Sequence, residues 1–96
     1  MNYKPKNKQE KFLVKAFLSL KNEQGTANFL RDLLTEQEIE EFSKRLEIAR
    51  LLNNGELSYR EVAEETKAST YTVSRVALWL KRGCNGYKSV LEKIDK

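Results

Sequence analysis

The apolar residues of this chain recur at helical spacing from one end to the other, and that periodicity constrains the fold more than any other feature. Phe12, Leu13, Ala16, Phe17 and Leu20 follow i, i+1, i+4, i+5, i+8, which draws one stripe along a helix. Gly25 is expected to end that helix, and Thr26 to cap a short one carrying Phe29, Leu30, Leu33 and Leu34. Thr35-Glu36-Gln37-Glu38 has the form of a capping box, in which the hydroxyl takes a backbone N–H and Glu38 reaches back to the cap. It opens a helix with Ile39, Phe42, Leu46, Ala49 and Leu52 on its stripe, stopped by Asn53-Asn54-Gly55. Ser58-Tyr59-Arg60-Glu61 is a second capping box. Ser69 or Thr70 caps the next helix, which carries Val73, Val76, Ala77 and Leu80 and ends at Gly83. Asn85 is expected to cap a last helix with Val90, Leu91 and Ile94 on its inner face. The fold class is all-α, with six helices and no strand. One proline and four glycines leave little material for the turns of a β fold.

Ninety-six residues make one domain with a small core, so a partner subunit is expected to help bury apolar surface. The residues that are missing exclude much chemistry. There is no His, which removes His-based acid–base catalysis and His metal sites, and a single Cys, Cys84, which removes internal disulfides and Cys-rich zinc sites. No glycine loop could cradle a phosphate. No enzymatic activity, no metal and no cofactor is expected. No apolar run approaches the roughly 18 residues of a membrane span and no secretory h-region follows the start, so no membrane is expected and the location read from the chain is cytoplasmic.

Charge is distributed unevenly. Residues 1–21 carry a net +5, residues 22–56 a net −4 and residues 57–96 a net +3. From Thr66 to Leu91 there is no acid, while Lys67, Arg75, Lys81, Arg82 and Lys88 all fall there. An acid-free basic stretch is the footprint of a polyanion-binding surface, although a solvated helix face would read the same way. It coincides with two short helices one tight turn apart, the second bearing an apolar stripe, which is the helix-turn-helix arrangement. The outer face of that second helix offers Thr70, Tyr71, Thr72, Ser74 and Arg75. Hydroxyls donate or accept at base edges, Thr methyls touch thymine methyls, and Arg makes bidentate contacts to guanine.

The stretch from Leu34-Thr35 through Gly83 resembles the Trp repressor family, above all in Gly55-Glu56-Leu57-Ser58-Tyr59-Arg60-Glu61. It is similar to the YerC/YecD group, whose members carry a run like Thr72-Val73-Ser74-Arg75-Val76. The resemblance implies an interlocked homodimer bound to double-stranded DNA. In it, residues 1–57 serve mainly in dimerisation, 58–83 form the helix-turn-helix and 84–96 the C-terminal helix. Phe12, Phe17, Leu20, Phe29, Leu33, Phe42 and Leu46 would then form a shared dimer core, the alternative being a core within one chain. By the same resemblance Arg60 contacts the DNA backbone and Thr70, Tyr71, Thr72 and Ser74 read bases. Where the family has a DNA-contacting Lys, Ala63 stands here, and Lys67-Ala68-Ser69 replaces a glycine-containing turn, with Lys67 as a substitute phosphate contact. Arg60 could instead pair with Glu56 or Glu64.

The resemblance also implies an effector pocket at Leu34, Thr35, Arg45 and Arg75, where two arginines sandwich an indole in the family. Two positions depart from the pattern: Val76 stands for a glycine and Trp79 for a serine. Added bulk is expected to exclude free tryptophan. Trp79 either lies near Arg45 and Arg75, where Arg–indole stacking is favourable, or is a half-exposed residue of its own helix. The expected function is a homodimeric transcriptional regulator, a repressor acting on a palindromic operator, with any small-molecule effector unidentified. The alternative is a non-catalytic binding module for RNA or an acidic protein; an enzyme accessory subunit is a third class. The Lys-rich start is either an arm along phosphates or a frayed terminus, and Cys84 an inert thiol or a redox sensor.

Overall fold

A computed structural model describes residues 1–95; Lys96, the last residue of the expected C-terminal segment, lies outside the described residues. The chain forms six helices, and no strand occurs among the described residues: α1 (Lys8–Leu18), α2 (Glu23–Leu33), α3 (Glu36–Asn54), α4 (Tyr59–Thr66), α5 (Thr70–Arg82) and α6 (Gly86–Ile94). Its contacts divide into two units, one of residues 2–39 and one from Glu40 onward.

In the first unit Asn7 caps α1, accepting from the Glu10 amide at 2.9 Å. At the Lys-rich start the Tyr3 hydroxyl and the Lys6 amide both donate to Glu10 Oε1, at 2.7 and 3.0 Å. Those two donors hold the Glu10 carboxyl below the usual carboxylate range. Gly25 does not end α1. Ser19 is the C-cap of α1, and Gly25 lies in the first turn of α2, where its N–H donates to Asn22 Oδ1 at 2.7 Å. Asn22, not Thr26, is therefore the cap. Asn is among the strongest N-caps because its short side chain reaches the N3 amide, and the Thr26 hydroxyl is spent on Asn22 O. Thr35 and Glu38 form the expected capping box, with reciprocal bonds of 2.9 and 3.1 Å.

No residue of α1 or α2 is buried, although their stripes are apolar. Phe12 is 74% exposed, and Leu18, Phe17 and Leu33 are also exposed. The ring of Phe17 does meet Phe29 edge-on, with centroids 5.7 Å apart.

The second unit holds the core: Ile48 and Ala49 of α3, Val62 and Ala63 of α4, Val73 and Val76 of α5, and Leu91 of α6. Burial of the Val, Ile and Leu side chains contributes about 1.5–3 kcal/mol each and fastens α4, α5 and α6 to α3. The α5 stripe is buried as its spacing requires. Of the expected α3 stripe Ala49 is buried and Leu52 packs against the core, whereas Phe42 and Leu46 are exposed and Ile48, which the stripe does not include, faces the core. In α6 only Leu91 is buried. Asn85 precedes α6 in the left-handed region (φ 65°) and its side chain makes no capping bond, which corrects its expected role. Asn tolerates that conformation and here serves the turn. Gly83 is obligatory for closeness: a Cβ there would lie 2.3 Å from the carbonyl oxygen of Trp79.

Candidate nucleic-acid interface

The Ser58–Glu61 capping box fixes the start of α4. The Glu61 amide donates to Ser58 Oγ at 3.1 Å and the Ser58 amide to Glu61 Oε1 at 2.8 Å. These bonds from Ser58 hold the Glu61 carboxyl below the usual range. Arg60 follows in the first helical turn and is exposed. Among the described residues the ion pairs are Arg31–Glu36, Lys44–Glu40 and Arg50–Glu47. Arg60 thus pairs with neither Glu56 nor Glu64, and its guanidinium is available to another anion.

The turn between α4 and α5 is a Schellman motif. The Ala68 amide donates to Ala63 O at 3.1 Å and the Lys67 amide to Glu64 O at 3.4 Å. Such a motif needs a left-handed residue, and here that residue is Lys67, at φ 60° and ψ 30°. A Cβ makes this conformation cost about 1–2 kcal/mol, which glycine would not incur. The Lys67 side chain is exposed.

Ser69 caps α5, accepting from the Thr72 amide at 3.0 Å, and the two hydroxyls lie 3.0 Å apart. Thr72 is therefore half-buried and engaged with the cap, whereas Thr70, Tyr71, Ser74 and Arg75 are exposed on the outer face. Tyr71 is 71% exposed, an unusual setting for an aromatic ring without a covering group. At the far end of α5, Lys81 Nζ lies 5.9 Å from the Tyr59 ring centroid and 3.3 Å from its hydroxyl, tying the end of α5 to the start of α4. Sequence reasoning missed this brace, since 22 residues separate the pair and no local pattern marks it.

The expected effector residues divide. Arg45 of α3 and Arg75, Val76 and Trp79 of α5 line one cleft of about 400 Å³, with Tyr71, Thr72 and Tyr87. Leu34 and Thr35 belong to the first unit, where Thr35 opens α3. Trp79 borders the cleft without filling it and is 49% exposed; the Arg45 guanidinium sits 5.4 Å from the Phe42 ring centroid. Val76 is buried in the core beside the cleft. The lining thus carries two guanidinium groups, three aromatic rings and no carboxylate. Among the described residues no cluster of His, Cys, Asp or Glu could hold a metal ion, and no helix is long and apolar enough to cross a membrane.

Comparison with known proteins gives this arrangement a context. The chain is 38% identical over 84 residues to the uncharacterized protein YerC of Bacillus subtilis (strain 168), covering 88% of this chain and 80% of that one. A crystal structure of a TrpR-like protein from Eubacterium eligens ATCC 27750 superposes with a TM-score of 0.86 at 38% identity, over 94% of this chain and 92% of the other. A candidate Trp repressor from Staphylococcus aureus superposes with the same TM-score of 0.86 at 32% identity, over 94% and 89%. The sequence profile of the Trp repressor protein matches residues 8–95, which takes in all six helices. By sequence and by fold, the chain belongs to the Trp repressor family.

Proposed function

We propose that this protein is a sequence-specific, DNA-binding transcriptional regulator without enzymatic activity, a homodimer that represses by covering a palindromic operator. The observation that carries this reading is the outer surface of α4 and α5. Arg60, Lys67 and Arg75 stand there without ion-pair partners among the described residues, beside the hydroxyls of Ser69, Thr70 and Ser74 and the ring of Tyr71. No acid lies between residues 66 and 91 to repel a phosphate. Arg60 and Lys67 supply sequence-independent attraction to the backbone, and Thr70, Tyr71, Ser74 and Arg75 meet base edges in the major groove, with Thr72, half-buried at the cap, at the margin of that set. Two copies related by a twofold axis would place their recognition helices about 34 Å apart, one helical turn of duplex. The dimer reading is supported by the uncovered stripes of α1 and α2, which a second copy would bury. Its seat of action is the cytoplasm, where the DNA of its bacterial relatives lies.

The protein does not respond to free tryptophan in this reading. Its effector cleft lies between Arg45 and Arg75 and is wide enough for a small molecule, but an amino acid's ammonium would meet two guanidinium groups and no carboxylate. Val76 also occupies the floor where the family pattern has a glycine.

The test is selection of bound duplexes from a random pool, followed by titration of the best site at several salt concentrations. A twofold-symmetric optimum with a steep salt dependence is expected. Enrichment of no duplex, or a preference for single strands or for an acidic protein, would overturn the reading.

A further inference from the structure

A second cleft, of about 320 Å³, lies where the middle of α3 faces the turn before α5. Glu41, Lys44 and Arg45 line one side, Lys67, Ser69 and Thr72 the other. Glu41, Lys44 and Arg45 fall at i, i+3 and i+4 on α3, so one helix face aims all three the same way. Three cations and one carboxylate, Glu41, line the cleft, and with Glu40 beside Lys44 at its edge the group still carries a net positive charge. Among the described residues the ion-pair partner of Lys44 is Glu40, at 3.6 Å, an exposed contact that a competing anion can displace. Lys67 comes to this cleft from a left-handed backbone position, where a lysine is held against its conformational preference. We propose that this cleft seats a phosphate of the DNA backbone, and that Lys44 of α3 is a DNA-contacting residue outside the helix-turn-helix. The inference rests on the DNA-binding reading above. The cleft opens beside Ser69 and Thr72, at the end of α5 that reads bases, so a phosphate flanking the contacted base pairs is the anion within reach. Lys44 sets affinity and register on the duplex; it carries no sequence preference.

The experiment measures binding of the selected duplex by the intact protein, by fluorescence anisotropy across a salt series, for the wild type, Lys44→Gln and Glu41→Gln. Lys44→Gln should lower the slope of log K against log salt by about 0.9 and weaken all duplexes by the same factor. Glu41→Gln removes the carboxylate facing the phosphate and should strengthen binding about threefold, an effect of opposite sign that damage to the fold would not produce. A wild-type slope in Lys44→Gln, or weaker binding by Glu41→Gln, overturns the proposal. So does saturable binding of inorganic phosphate at submillimolar concentration together with an unchanged slope, which would assign the cleft to a free anion. Failure of the wild type to bind any duplex would instead bring down the DNA reading itself.

Discussion

Replacing Phe12 by Ala separates a self-contained chain from an obligate dimer more sharply than any other single change. Within one chain Phe12 is 74% exposed and lies on a helix with no buried residue. Truncating a side chain that water already covers changes stability by no more than about 0.5 kcal/mol. If a second copy covers the ring, the same truncation opens a cavity costing about 3 kcal/mol, and symmetry doubles it to about 6 kcal/mol per dimer. That is roughly four decades in the dissociation constant, enough to carry a nanomolar dimer to about ten micromolar. Phe17→Ala is the reference. Its ring already packs edge-on against Phe29 at 5.7 Å, so part of its cost, about 0.5–1.5 kcal/mol, belongs to the single chain. Sedimentation equilibrium gives the association constant, and thermal unfolding at several protein concentrations gives its coupling to folding. The wild type should melt at a temperature that rises with concentration, and Phe12→Ala should be monomeric or unfolded at micromolar concentration. A wild type that is folded and monomeric there, or a Phe12→Ala that associates as well as the wild type, would refute the shared core.

Lys67→Gly should raise stability by about 1 kcal/mol in chemical denaturation, because glycine adopts the left-handed turn without a Cβ, while weakening every duplex alike; a loss of stability would mean that the Lys67 side chain, not its backbone, holds the turn. Ile48→Ala should cost about 2–5 kcal/mol, since Ile48 has no exposed surface and the neighbouring helices cannot close the gap; a smaller change in urea denaturation would count against this core. Glu61 has its carboxyl held below the ordinary range in the folded state, so its contribution is complete above the unfolded value of about 4.3 and is lost as pH falls through the folded value. Glu61→Gln should therefore flatten the acid limb of the stability profile, and an unchanged limb would show that the capping box is not its source. Calorimetry should detect no binding of free tryptophan, and operator affinity should be the same with and without it; micromolar binding would show that the ammonium finds an acceptor on the cleft.

Periodicity, caps and charge determined much of this protein without any coordinates. The i, i+3, i+4, i+7 stripe of Val73, Val76, Ala77 and Leu80 names the buried face of α5, and the Ser58–Glu61 and Thr35–Glu38 boxes mark where α4 and α3 begin. These features are local: each depends on residues within two turns, so the sequence contains all of the information. Tertiary structure alone decided where stripes go and which charges meet. Phe42 lies on the stripe that spacing draws along α3 and Ile48 does not, yet it is Ile48 that finds α4, α5 and α6 around it. One local feature is misread from spacing: Gly25 is expected to end α1 and Thr26 to cap α2, whereas Asn22 is the cap and accepts the Gly25 amide at 2.7 Å. The convergence of Lys44 with Lys67 at one cleft and the contact of Lys81 with Tyr59 join residues more than 20 positions apart, whereas the meeting of Arg45 with Arg75 is already implied by the family resemblance. Such meetings are set by the packing of whole helices against a small core, and no spacing along the chain encodes them.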